Sequence, residues 1–297
     1  MNILLGVSLS KKNYKFLYKF INSLNNLINI KGYNIKFIFI LEKKNFYFKE
    51  IVLKNFSRKN FYFLYVKKKG IPHSRNKFLK YIRLSKSHYA GFLDDDCIIP
   101  RDWLVNMLKF MSLNQCNLIG GPQLHKTKNK FYDKLFKLME PKRKHNENIE
   151  WAATNNVFFE SKILRYNNHY FDEGLKNVGG SDQLFFKKLK KDFQLTYKWN
   201  SKSSVSENIQ EERENIKWFI NRNFRYGFSG SYIDKIIYGR FVGFLINILK
   251  LFYLLLNFTL CIFFVIDKKY LFKAIFSLSR AWGRVMSLTS YNPKKYI

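Results

Sequence analysis

The pattern of apolar and polar positions changes character once along the chain. Before residue 235, short apolar runs alternate with segments in which apolar residues recur every three or four positions. Ile3 to Leu9 has the length of a strand. From Tyr14 to Ile28 the apolar positions Phe16, Leu17, Phe20, Ile21, Leu24, Leu27 and Ile28 follow helical spacing. Ile35 to Leu41 predicts a second strand, Lys49 to Phe56 a short helix and Phe61 to Val66 a third strand. Asn76 to Ser85 predicts a helix, and Tyr89 to Leu93 a fourth strand. This alternation predicts an α/β fold whose parallel sheet carries helices on both faces. In such sheets ligands bind beyond the carboxyl ends of the strands.

After residue 240 the rhythm stops. The stretch FVGFLINILKLFYLLLNFTLCIFFVI, residues 241–266, is apolar apart from Asn247, Lys250, Asn257 and Thr259. At about 1.5 Å per residue it is long enough to cross a bilayer. Lys250 is read as near enough to one end to snorkel to the interface. Arg240 precedes the stretch and Lys268 and Lys269 follow it, so flanking charge sets no orientation. Leu271 to Leu288 mixes Phe272, Ile275, Phe276 and Trp282 with Lys273, Arg280 and Arg284, the pattern of an interfacial helix. A single span, a re-entrant hairpin and two helices lying in the cytosolic leaflet all fit this tail. A single crossing leaves Lys294 and Lys295 on the far side. A core helix of a soluble domain would need partners to cover so long an apolar stretch.

Composition adds less. With 297 residues, 47% of them hydrophobic, the chain has ample material for a packed core. Lys and Arg number 53 against 21 Asp and Glu, a formal charge of +32, scattered along the chain as KK and KKK. That suits any polyanion, or only solvated lysines. No helix-turn-helix, RNP or zinc-finger pattern accompanies it, so nucleic acid is not an expected partner. Cys97, Cys116 and Cys261 lie far apart without ligand spacing, which argues against a disulfide framework or structural zinc and fits a reducing compartment. The opening MNILLGVSLSKKNY has no basic region ahead of its apolar run and reads as a strand, not a signal peptide; the active part is expected in the cytosol.

Against this basic background GFLDDDCIIPRDWL, residues 91–104, sets Asp94, Asp95 and Asp96 at the end of the fourth strand. Asp96 or Asp102 is a possible cap for the helix that follows. One carboxylate suffices for a cap, whereas three adjacent ones repel unless a cation intervenes. Mg²⁺ and Mn²⁺ choose oxygen ligands and bridge carboxylates to phosphates, which favours a metal and diphosphate site here. In GGSDQLFF, Gly179 and Gly180 permit a tight turn and place Asp182 at the start of a helix through Leu184, Phe185 and Leu189. Asp182 is then a candidate general base, or Ser181 or Asp182 is simply an N-cap. Arg222 and Arg225 lie three apart on one face of a helix expected from about Glu211 to Tyr226, as a phosphate-binding pair or a solvated basic face.

GIPHSRNKFL, residues 70–79, precedes GFLDDDCIIPRDWL across a short connection, and segments in this order resemble the family 2 inverting glycosyltransferases of GT-A fold. In that family an ARN-type segment precedes a DxD-type motif by about twenty residues; here Arg75, in GIPHSRNKFL, precedes Asp94 by nineteen. WAATNNVFFESKIL, YFDEGLKNVGGSDQLFFKKLKK and RNFRYGFSGS resemble the acceptor-side segments of the succinoglycan-type exopolysaccharide subgroup. The resemblance covers residues 1–235, with a nucleotide-sugar-binding half at 1–124 and an acceptor half at 125–235, and leaves 236–297 as a membrane-associated tail.

It implies a Mn²⁺ or Mg²⁺ cofactor on Asp94 and Asp96, with Asp95, Arg75, Asn76, Glu42 and Ser8 toward the nucleotide sugar. Family members often end the second strand in an aspartate that holds the base; Glu42 stands there here, or is an ordinary surface residue. Trp151, Asn155, Asn156, Gly180 and Ser181 are implied on the donor or acceptor sugar, although Trp151 suits core duty equally. The family usually has Glu-Asp where this chain has Ser181 and Asp182, so the aspartate stays and its acidic neighbour is lost. A His often follows the last strand of the catalytic domain; Ser206 and Glu207 occupy its place. The histidines, including His73 and His125, are read as surface or packing residues.

The expected function is transfer of a sugar from a nucleotide diphosphate, a UDP-sugar by expectation, to a lipid-linked or nascent glycan in cell-surface polysaccharide biosynthesis, at the cytoplasmic face of the inner membrane. The rivals are a basic, membrane-associated binding protein without catalysis and a metal-dependent nucleotidyltransferase. The latter should carry a glycine-rich loop after the first strand, where GVSLSKKNY has none.

Overall fold

The computed structural model describes residues 1–9, 14–42, 46–165 and 168–289. Two compact units form: Met1–Lys126 with Lys142–Glu173 and Phe185–Asn208, and Thr127–Pro141 with Gly174–Leu184 and Ile209–Ile297.

The first unit begins with the expected alternation: β1 (Asn2–Ser8), α1 (Tyr14–Asn25), β2 (Asn34–Glu42), α2 (Phe46–Asn55), β3 (Phe61–Val66), α3 (Ile71–Leu84) and β4 (Tyr89–Asp94). Helix α1 ends short of Ile28, where the Arg58 side chain takes up the carbonyl oxygens of Leu24, Asn25 and Leu27. Helix α3 starts five residues earlier than its apolar pattern predicts. Gly70, at φ 126°, turns the chain into it, and Pro72 sits in the first turn, where no N–H is missed. After β5 (Cys97–Ile98) come α4 (Trp103–Asn114), β6 (Leu118–Gly120) and β7 (Gln123–Lys126). Beyond α5 (Lys130–Met139), the chain adds β8 (Asn156–Glu160), α6 (Ser181–Phe193), β9 (Tyr197–Trp199) and β10 (Val205–Asn208).

Seven strands make one sheet in the order β3-β2-β1-β4-β8-β6-β9. It is parallel except for β8, which runs antiparallel between β4 and β6. Along β1 and β2, Ile3, Leu5, Val7, Phe37 and Phe39 enter one apolar cluster, and Leu4, Ile38 and Ile40 enter the other. A strand buried on both faces reads as a continuous apolar run, which is why these strands stand out in the sequence. A small second sheet, β5-β10-β7, sits beyond β4.

In the second unit α5 is joined by α7 (Ile216–Tyr238), α8 (Arg240–Phe263) and α9 (Lys268–Met286). The helix expected from Glu211 resolves into a 3₁₀ turn at Glu211–Arg213 and then α7, whose first turn is capped by Asn215 accepting from the Trp218 N–H at 2.8 Å. Leu135, Phe136, Ile209, Phe219, Phe272 and Phe276 form its apolar centre. Lys250 corrects the snorkelling expectation. It is the eleventh of the twenty-four residues of α8, and its Nζ donates to both carboxylate oxygens of Asp234 on α7 at 2.9 Å. Lys294 and Lys295 lie outside the described residues.

Candidate active site

The carboxyl end of the large sheet is set by register. Ser8, last in β1, pairs with Asp94, last in β4, and β2 ends beside it at Glu42, whose side chain lies outside the described set. The Asp side chains then diverge in environment. Asp94 keeps 36% of its side chain exposed, whereas Asp95 and Asp96, in the turn to β5, are 2% and 5% exposed. The Asp96 carbonyl accepts from the backbone N–H and the Nδ2 of Asn208, at 2.9 and 3.1 Å, which ties the turn to β10. Capping does not explain the cluster. Asp102 stands at the N-cap of α4, but its carboxylate accepts from Asn106 Nδ2 and from no backbone N–H of the first turn.

The small sheet adds two residues that the sequence left aside. Glu207 on β10 pairs across to Cys97 on β5 and to His125 on β7, and His125 Nε2 lies 3.6 Å from its carboxylate. Burial, followed by the charges of Asp96, Glu207, Asp94 and Asp95, pushes the Cys97 thiol well above its ordinary pKa. Four carboxylates thus create a negative field at this strand end. Among the described residues no three Asp, Glu, His or Cys side chains converge to cage a metal. The donor set suits a hard divalent ion held by one or two carboxylates and completed by diphosphate oxygens.

Arg75 and Asn76 lie in the buried first half of α3. Arg75 Nη2 is 3.8 Å from Asp94 Oδ1, and its guanidinium lies over the Phe171 ring at 5.6 Å. The Asn76 amide clasps the Phe171 backbone from both sides, donating to its carbonyl at 2.9 Å and accepting from its N–H at 2.8 Å. His73 Nδ1 meets Glu173 at 2.8 Å.

Trp151, Asn155 and Asn156 lie at the entry to β8, and the two asparagines differ. Asn156 accepts from Trp103 Nε1 at 2.8 Å and donates to the carbonyls of Pro122 and Ser203, so it braces three segments. Asn155 is buried with no hydrogen-bond partner for its Oδ1, and Thr154 is buried with none for its Oγ1. Buried acceptors of this kind are uncommon and call for a partner. Trp151 is half-buried against the apolar core, with Arg143 over its ring at 5.8 Å and over Trp199 at 4.7 Å.

The remaining candidates belong to the second unit. Gly179 and Gly180, at φ 90° and 87°, make the turn before α6, a conformation that favours glycine. The Gly180 carbonyl accepts from Leu184, so α6 starts after it and neither Ser181 nor Asp182 is the N-cap. Ser181 is buried, and Asp182, in the first turn, accepts only from the adjacent Gln183 N–H at 2.9 Å in its described hydrogen bonds. A Cβ on Gly180 would press on Ser229 and Ile233 of α7 at 3.2 Å. Arg222 Nε donates to the Tyr226 hydroxyl at 3.0 Å and its guanidinium lies over the Trp218 ring. Burial, with Arg222 and Arg213 nearby, lowers Arg225 to about 10.

The fold is shared with solved glycosyltransferases at low identity. Residues 1–349 of S. aureus TarS, in complex with UDP-GlcNAc, match with a TM-score of 0.58 and 15% identity over 80% of this chain and 70% of that one. The mannosyltransferase PcManGT from Pyrobaculum calidifontis, in complex with GDP-Man and Mn²⁺, matches with a TM-score of 0.63 and 11% identity over 96% of this chain and 86% of that one. No curated protein matches by sequence. The model of the family described as Glycosyl transferase family 2 matches residues 10–177. With more than half its length covered by that model and a mostly parallel GT-A-like sheet beneath it, the chain belongs to glycosyl transferase family 2 and is a glycosyltransferase.

Proposed function

We propose that the enzyme moves a sugar, with inversion, from a UDP-sugar to a lipid-linked or nascent glycan at the cytosolic face of the plasma membrane, in cell-surface polysaccharide synthesis of the succinoglycan type. The carrying observation is the Asp94–Asp96 turn at the carboxyl end of β4, where Ser8, Arg75 and Asp94 adjoin. Similar proteins hold UDP-GlcNAc in one case and GDP-Man with Mn²⁺ in another, which supports a nucleotide-sugar donor and a divalent ion.

Asp94 and Asp96 would hold Mn²⁺ or Mg²⁺, which when bound neutralises diphosphate oxygens. Asp95 and Ser8 face the nucleoside in this reading, and the family resemblance assigns Glu42 to it as well. Arg75 offsets the charge of Asp94 and contacts phosphate, while Asn76 fixes the Phe171 segment beneath it. Asn155 offers its unpartnered oxygen to a sugar hydroxyl, beside Trp151. Asn156, with its amide engaged by three segments, supports the strand. Asp182 takes the proton of the acceptor hydroxyl, Gly180 and Ser181 shape the turn that presents it, and Arg222 and Arg225 meet acceptor phosphate.

The test is nucleoside diphosphate release by the purified protein with Mn²⁺ and a panel of nucleotide sugars. Release with one donor, accelerated by a glycan or lipid-linked acceptor, is expected. No release and no thermal shift with any nucleotide would remove the reading.

A further inference from the structure

Helix α8 is built inside out. Gly243, Asn247, Lys250 and Asn257 meet α7 or α9, and the buried Cys261 falls on the same side. Asn247 Oδ1 accepts from Arg284 Nη1 at 2.8 Å, Arg284 and Lys250 both reach the buried Asp234, and Asn257 donates to Ser277 at 2.7 Å. The opposite stripe holds Phe241, Leu245, Leu249, Phe252, Leu256 and Phe263, all exposed. A helix in a water-soluble bundle turns its apolar side inward. Here the polar side is inward, so the medium expected outside is hydrocarbon.

The same bonds decide how the helix lies in it. Phe219 stacks on Phe276, Gly227 abuts Arg280, and Asp234 meets Arg284, so α7 and α9 run parallel. Asn247 with Arg284 and Asn257 with Ser277 make α8 antiparallel to both. A crossing α8 would therefore carry its partners across with it, taking Arg222 and Arg225 of α7 to membrane depth, where a charged side chain is costly. Among the described residues α8 alone is long and apolar enough to cross.

We infer that α8 lies in the plane of one leaflet of an anionic membrane, its Phe241–Phe263 stripe immersed and its polar seam clamped by α7 and α9, without crossing. Exposed Arg240, Lys268 and Lys269 at its two ends then meet lipid phosphates. A second copy of the chain is a poorer cover, since both carry +32. The inference rests on the membrane setting proposed above, and not on the sugar transfer.

The test uses the full chain with vesicles of phosphatidylcholine containing a minority of phosphatidylglycerol. The wild type should float with them, and Leu249→Lys with Phe252→Lys should lower binding at least tenfold while leaving the melting temperature and detergent-assayed nucleoside diphosphate release unchanged. Ile266, in the turn after α8, is 98% exposed. In an Ile266→Cys variant a membrane-impermeant maleimide added outside should react without detergent, and a fluorophore on Leu249→Cys should be quenched by bromines near the headgroup end of the acyl chains. Protection of Ile266→Cys until detergent is added would overturn the in-plane placement while leaving the membrane setting intact. Failure of the wild type to float, or a dimer abolished by the two lysines, would overturn both, and nucleoside diphosphate release would still judge the transferase reading separately.

Discussion

The two units solve opposite solvent problems with the same residue types. In the first, β1 and β2 bury apolar side chains on both faces of the sheet, and carboxylates gather where the strands end. In the second, α8 turns Asn247 and Lys250 inward and leaves Phe252 69% exposed. Both segments are apolar in sequence. What separates them is the direction of the polar residues relative to the packed neighbours, and that direction reports the medium for which each is built.

The sharpest way to break the comparison is at the strand end. Asp96→Ala should remove metal-dependent nucleotide binding and lower transfer by about 10³ or more if, as proposed, Asp96 is an anionic ligand of the diphosphate site. Thermal shift with UDP and Mn²⁺ reads the first effect, and diphosphate release the second. Wild-type binding in this variant would place the metal elsewhere.

Asp182→Asn should come next. It keeps the side-chain shape in the first turn of α6 but cannot take a proton, so transfer should fall by about 10² to 10⁴ with nucleotide binding intact. Weakened UDP binding with undiminished turnover of bound donor would exchange the roles of the two aspartates.

In the second unit the counterpart is Asp234, buried between Lys250 and Arg284. Asp234→Ala leaves the guanidinium of Arg284 buried without its anion and should destabilise the protein by about 3–5 kcal/mol. Chemical denaturation measures this. A change below about 1 kcal/mol would mean that the seam is wet and the helices separable.

How much of this the sequence reveals depends on whether the signal is local. The strand and helix rhythm is legible because strands buried on both faces are continuous apolar runs, and the acidic cluster is legible because its three members are adjacent. The helix bearing Arg222 and Arg225 is expected to run only to about Tyr226; the structure carries α7 to Tyr238, with Gly227 lying against the Arg280 backbone and Gly230 beside the Arg284 guanidinium. Glu207 and His125 meet only through the pairing of strands 82 residues apart, which no local pattern announces. Lys250 reads as a charge in need of water until Asp234, sixteen positions earlier, is placed beside it. Asn155 and Asn156 look alike on paper, yet one is braced by three segments and the other has an open acceptor.

The smallest expected effect is the most diagnostic of the contrast. Phe158, on β8, is fully buried and packs edge-on against Trp103, so Phe158→Ala should cost about 3–5 kcal/mol through lost transfer energy and the cavity left behind. Phe252→Ser removes a ring of the same size from a site with no core contacts to lose, and in detergent-free buffer its stability should stay within about 0.5 kcal/mol of wild type or rise, because the exposed ring gains nothing from folding. Its consequence should appear only with vesicles, where the lost apolar area weakens adsorption by about tenfold, at about 25 cal/mol per Å² of surface no longer immersed. Equal stability costs at the two positions would show that Phe252 is covered by protein, and the polar-in, apolar-out reading of α8 would fall with it.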